Sequence, residues 1–259
     1  MIELGDYDQA FAAIDAMAAM RPSAGAYARV AYARELRGDL AGALQAMHMA
    51  ADATTPQDPE AQAWYASQIG ELSLRMGKTD DAEREYQRAE SVFPDYRLAM
   101  VGHGKVKVAR GDRDGALAIY LEQMKQAPTL DLAARIGDLH AQTGDSIEAE
   151  RYYQLAEDLA GPAIAQTEAT LALFLAEHDR KLPEAVKIAE AVARIRHDLF
   201  TDDALAWAYY KTGRVEDAFV VSQRALRTGT QDPTILAHAA QIRRARVVEH
   251  ESPLSTRTN

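Results

Sequence analysis

Gly77-Lys78-Thr79-Asp80-Asp81-Ala82, followed by Tyr86 and Ala89, is the stretch on which the reading of this chain turns. A glycine suits the left-handed residue that ends a helix. The aspartates suit the N-terminus of the helix that follows. Ala82, Tyr86 and Ala89 then fall on one face at helical spacing. The stretch therefore reads as the turn between two helices, with the second helix alternating small and large apolar residues.

The same pattern recurs along the chain. It appears as Gly5-Asp6-Tyr7-Asp8-Gln9-Ala10, Gly38-Asp39-Leu40-Ala41-Gly42-Ala43, Gly111-Asp112-Arg113-Asp114-Gly115-Ala116, Gly144-Asp145-Ser146-Ile147-Glu148-Ala149 and Gly213-Arg214-Val215-Glu216-Asp217-Ala218. A seventh copy, Arg180-Lys181-Leu182-Pro183-Glu184-Ala185, has lost its glycine. The alanines step by 33, 39, 34, 33, 36 and 33 residues. A period of this size marks a repeat architecture in which each unit is one supersecondary element. Pro22, Pro94 and Pro128 close units where a helix must stop.

A helix-turn-helix period near 34 with these positions resembles the tetratricopeptide repeat (TPR) family. The small residue of the first helix appears as Ala31, Gly70, Gly104, Gly137 and Ala206, with Leu173 as a departure. The later alanine of the second helix appears as Ala50, Ala89, Ala156 and Ala225, but is Gln123 and Val192 elsewhere. The resemblance covers roughly residues 1 to 245. It implies an all-α fold, a right-handed superhelical solenoid. Small residues let paired helices approach, and Tyr86, Tyr120 and Tyr153 fill the gap to the next pair. No pair buries its apolar face alone, so stacking supplies the core. The segment from Asp198 to Arg214 also looks like one found in many bacterial TPR proteins.

The domain expectation is a single array over residues 1–248, with about six full repeats, a half repeat at the start and a C-terminal cap helix near 233–248. Residues 249–259 are expected to form a flexible tail. The step of 39 places an insertion at Thr54-Thr55-Pro56-Gln57-Asp58-Pro59, and the step of 36 places another near Gly161-Pro162. The unit around 165–197 is the most irregular. The chain begins inside a repeating unit, which raises the expectation of a longer polypeptide. It also leaves the half repeat with an apolar edge.

Composition narrows the function. The 259 residues include no cysteine, which removes disulfides, thiolate metal sites and cysteine nucleophiles. Zero cysteines fits cytoplasm or periplasm equally well, and the start Met1-Ile2-Glu3-Leu4 lacks the features of a signal peptide. No apolar run is long enough to span a membrane. The net charge of −10 disfavours nucleic acid as a partner. Arg243-Arg244-Ala245-Arg246 reads as a solvated helix end.

Catalytic, metal and cofactor sites are not expected. The seven histidines form no H-E-x-x-H motif or other convincing ligand spacing. His103 and His140 fall at packing positions, and His178-Asp179 and His197-Asp198 at helix ends. Gly102-His103-Gly104-Lys105 falls mid-helix and lacks the Ser/Thr of a phosphate loop.

In TPR arrays the first helices line the concave face. Projected from the repeat register, the candidate partner-binding residues are Tyr32, Trp64, Glu71, Arg75, Lys105, Asp138, Phe174, His178, Asp203, Trp207, Tyr210 and Lys211. Aromatic and arginine anchors suit binding hot spots, although aromatics at these positions also pack between neighbouring helices. The lysine–asparagine clamp by which some TPR domains hold a chaperone tail is absent: its positions read Ala28, Tyr32, Ser67 and Glu71, with Lys105 alone nearby. The expected function is a non-enzymatic protein–protein interaction scaffold holding a peptide or partner helix. The alternatives are self-assembly as a homo-oligomer through the N-terminal half repeat, or service as the TPR portion of a longer chain with an enzymatic, regulatory or membrane segment upstream.

Overall fold

The computed structural model describes residues 1–167 and 169–251, and only the backbone at 162–167 and 249–251. From residue 252 on, the expected tail lies outside the described residues. Among the described residues there are fourteen α-helices, one short 3-10 helix at Ile2–Leu4 and no strand.

Helix α1 (Tyr7–Met20) is the second helix of the opening half repeat. Pairs then follow: α2 (Ala24–Leu36) with α3 (Leu40–Asp52), α4 (Pro59–Arg75) with α5 (Thr79–Val92), and α6 (Arg97–Ala109) with α7 (Arg113–Gln126). Next come α8 (Leu130–Gln142), α9 (Ser146–Thr167), α10 (Thr170–Glu177), α11 (Leu182–Ala193), α12 (Leu199–Lys211), α13 (Val215–Ala225) and α14 (Pro233–Glu251). The chain forms two compact units. Unit I comprises Phe11–Glu35 and Asp39–Ala160; unit II comprises Met1–Ala10, Leu36–Gly38 and the described part of Gly161–Asn259.

The turns are built as the sequence leads one to expect. Gly38, Gly77, Gly111, Gly144 and Gly213 all have positive φ, between 73° and 82°. Asp39 Oδ1 accepts the Gly42 N–H at 2.8 Å and Asp112 Oδ1 accepts the Gly115 N–H at 3.0 Å, capping α3 and α7. Asp112 is held below the usual carboxylate range, first by its hydrogen bond from Lys107 and then by that N–H. The copy without a glycine turns on Asp179 (φ 54°) and Lys181 (φ 40°), each in a conformation that costs a non-glycine residue about 1 kcal/mol. The insertion after α3 is a loop ended by Asp58, which caps α4 ahead of Pro59. Near the second insertion, Gly161 (φ 55°, ψ 162°) interrupts α9 with a non-helical residue.

Unit I is held by tyrosines lodged against glycines. A Cβ at Gly70 would stand 2.7 Å from the Tyr86 ring, and one at Gly102 would stand 2.3 Å from it. One ring thus fills the space against both its own pair's first helix and the next pair's. A Cβ at Gly104 would stand 2.2 Å from Tyr120. Tyr86, Tyr120, Ala82, Ala89 and Ala116 are buried around these contacts. First helices also pack on first helices, α4 on α6, as stacking requires.

Unit II stacks in the same way: α10 meets α11 and α12, and α12 meets α13 and α14. Ala169, Val192 and Ala204 form a shared core. The start of the chain is seated in this unit. The His197 N–H donates to the Glu3 carbonyl at 2.7 Å, and the Leu199 N–H donates to the Tyr7 hydroxyl at 2.7 Å. The Arg227 guanidinium lies 4.9 Å from the Tyr7 ring centre. Tyr7 and Ala10, apolar residues of the half repeat, are buried.

Candidate partner-binding grooves

In unit I the first helices α4, α6 and α8 border a cleft of about 290 Å³. Glu71 of α4 and Lys105 of α6, both predicted, meet across it at 2.7 Å. The Tyr86 hydroxyl donates to Glu71 at 3.3 Å. Its pKa is driven well above the usual tyrosine range, first by burial and then by the Glu71 charge. Glu71 and Lys105 thus offer partners of both signs while answering each other's charge.

The cleft also contains Ser67, at an inward position of the repeat register, and Arg97, which the register projection omitted. Arg97 donates through Nη2 to the Ala127 carbonyl at 3.0 Å, yet its Nε is buried with no acceptor among the described residues. Ser67 Oγ, on the opposite wall, is buried and equally unpartnered. Buried polar groups of this kind are costly unless something satisfies them. Leu98, Thr129 and Asp131 also line it. Arg97 had a legible signal: with Val101 and Lys105 it forms an i, i+4, i+8 row on α6.

The other predicted residues of unit I lie outside this lining. Tyr32 and Trp64 remain accessible, at 41% and 36% of their surface, and Trp64 sits edge-on to Tyr65. Arg75 pairs with Glu35. Asp138 accepts the Tyr153 hydroxyl at 3.0 Å.

In unit II the predicted aromatic residues make two sets of ring contacts, one around Trp207 and one between Phe174 and His178. Trp207 stacks on His238 of α14 at 3.9 Å and on Tyr210 at 4.9 Å, and Lys211 Nζ stands 5.6 Å from its ring centre. Lys211 also pairs with Asp179 at 2.6 Å. Phe174 lies 4.5 Å from the His178 ring, whose Nδ1 is 2.8 Å from the Phe174 carbonyl. Asp203 is 3.0 Å from His238 Nδ1; burial raises its pKa against the opposing pull of His238. Phe174, Asp203 and Trp207 are buried, because α14 and the neighbouring helices cover them. Tyr210 and Lys211 keep part of their surface.

The mid-helix glycine run 102–105 lies within α6, with its glycines against Tyr86 and Tyr120. His103 stands 3.2 Å from Glu83 and edge-on to Tyr86, and His140 stacks on Tyr152. Arg246 pairs with Glu216 at 2.9 Å and covers Phe219. Among the described residues, no group of His, Asp or Glu is arranged to hold a metal ion, and no helix is long and apolar enough to cross a membrane.

No family model matches the sequence, and no curated protein is similar to it. Among solved structures, the fold is similar to a chain of the APC/C hetero-tetramer Cut9-Hcn1, with TM-score 0.53 and 16% identity over 93% of this chain and 47% of that one. This chain therefore spans about half the length of that relative. Also similar are a tetratricopeptide repeat protein from Parabacteroides merdae ATCC 43184 (TM-score 0.46, 16% identity, 89% of each chain) and yeast Tom70 (TM-score 0.48, 12% identity, 94% of this chain and 59% of that one). At these identities the likeness is one of fold. The fold is the all-α helix-turn-helix solenoid of the tetratricopeptide repeat proteins.

Proposed function

We propose that the protein is a non-enzymatic interaction scaffold that binds an extended peptide in the unit I cleft. The observation that carries this is the pair of unsatisfied buried groups, Ser67 Oγ and Arg97 Nε, in a cleft bordered by the first helices. A peptide backbone offers carbonyls to Arg97 and both donors and acceptors to Ser67. The Glu71–Lys105 pair beside them holds charges of either sign for the peptide's side chains. Leu98, 45% exposed, supplies an apolar contact. The Cut9-Hcn1 relative is crystallised as a hetero-tetramer, which agrees with an interaction role for this fold.

The test is affinity capture from the source lysate, with the wild-type chain beside a Leu98→Glu, Lys105→Glu variant whose helicity is intact by circular dichroism. A control variant, Arg84→Glu, changes an exposed residue on α5 outside the cleft. Expected is a protein held by the wild type and the control and lost by the cleft variant. Equal recovery by all three baits rejects the cleft as the binding surface.

A further inference from the structure

We propose that unit II carries a second ligand site, independent of the unit I cleft, which binds a single carboxylate borne on an apolar body. The site is a cavity of about 590 Å³, in the size range of small-ligand pockets. Its apolar walls are Ala193 of α11, Leu205 and the Tyr209 ring of α12, and Leu4 of the N-terminal 3-10 helix.

The charge is arranged from the floor upward. Asp202 is 1% exposed and accepts from Arg224 Nε at 3.2 Å, Arg224 Nη2 at 2.9 Å and Arg227 Nη1 at 2.7 Å. Arg227 also donates to the Arg224 and His197 carbonyls, so its donors are largely used. Arg224 keeps Nη1 without an acceptor among the described residues and remains exposed at the rim. Arg194 stands at the rim as well; its side chain has no ion pair or hydrogen bond among the described residues. Glu190, the other acid in the lining, is already engaged by the Tyr209 hydroxyl at 3.0 Å and by Arg214 at 3.1 Å. Arg224 and Arg227 thus divide one carboxylate, Asp202, and Arg194 adds a third guanidinium charge that neither acid of the lining answers, in a chain whose net charge is −10.

This surplus identifies the ligand. The free guanidinium of Arg194 and the spare Nη1 of Arg224 suit a carboxylate, whose two oxygens accept their N–H groups. Phosphate would need no apolar wall, and its higher charge would meet the Glu190 carboxylate in the same lining. A carboxylate on an aliphatic or aromatic body uses both the donors and the walls.

The experiment is calorimetric titration of the full chain with four probes: 4-phenylbutanoate, the peptide acetyl-Phe-Glu-amide, the neutral 4-phenylbutanol, and inorganic phosphate. Arg194→Glu and Arg194→Gln are titrated alongside; Arg194 has no partner whose loss would disturb the fold. Expected is saturable binding of at least one carboxylate probe. Each variant should weaken it by about tenfold or more, the value of one charge-assisted hydrogen bond. The carboxylate that binds tells whether a free acid or an acidic peptide side chain is the source. Failure of both carboxylates overturns the proposal. So does equal binding by either variant, or phosphate binding as tightly as the carboxylates.

Discussion

Tyr86 shows at the scale of a single residue how this chain excludes water between helices. Its ring lies against the glycines of two successive first helices, closer than any Cβ would allow. In an ordinary helix, Gly→Ala gains about 1 kcal/mol from backbone entropy. At Gly102 the new methyl would stand 2.3 Å from a ring that is itself fully packed. Overpacking of this kind costs about 1–3 kcal/mol and outweighs the gain. Gly102→Ala is therefore expected to destabilise by about 1–2 kcal/mol. Gly25→Ala on α2, whose added methyl would meet only the tip of Arg29 at 3.5 Å, should be neutral or stabilising. Urea unfolding of the two variants checks this; equal effects at both sites would discard the ring-and-glycine account.

Among the elements, the joint between α11 and α12 is supported from the chain's beginning. Leu199 opens α12, and its N–H is one of the donors that a helix leaves unsatisfied at its start. The Tyr7 hydroxyl accepts that N–H in a buried setting. Asp198 caps the two residues that follow, accepting the N–H groups of Phe200 and Thr201 at 3.1 Å. Tyr7→Phe keeps the ring and its contact with Arg227 but leaves the Leu199 N–H without an acceptor. The expected loss is about 1–3 kcal/mol, read as a lower urea midpoint. A midpoint equal to that of the wild type would mean that the hydroxyl contributes nothing to this joint. Tyr7 and Glu3 thus contribute to unit II.

For the whole molecule, repeat stacking makes stability a sum of local terms, so damage in one unit is expected to stay partly local. The two tryptophans report this conveniently, since Trp64 lies in unit I and Trp207 in unit II. Asp202→Ala removes the acceptor shared by Arg224 and Arg227, at an expected cost of about 2 kcal/mol. In a Trp64→Phe background, Trp207 fluorescence should lose about 1 M from its urea midpoint. In a Trp207→Phe background, the Trp64 signal should move by less. Equal shifts in both backgrounds would mean that the chain unfolds as one cooperative body.

The sequence by itself determined the repeat period, the turns and the small and large positions of each helix. Local chemistry is enough to place the turns, where Asp39 and Asp112 cap the helices they precede, and the short turn then brings Gly104 and Tyr120 together within one pair. It also brought Glu71 and Lys105, one repeat apart, to the same surface. Only the tertiary structure decided which projected residues stay accessible. Trp207 and Asp203 lie on the projected face, yet His238 of α14 covers both. Only the structure joined Asp202 to Arg224 and Arg227, and left Ser67 Oγ and Arg97 Nε unsatisfied in one cleft. The physical reason is that periodicity tells which way a side chain leaves its helix. Burial and pairing depend on what another helix, tens of residues away, places in front of it.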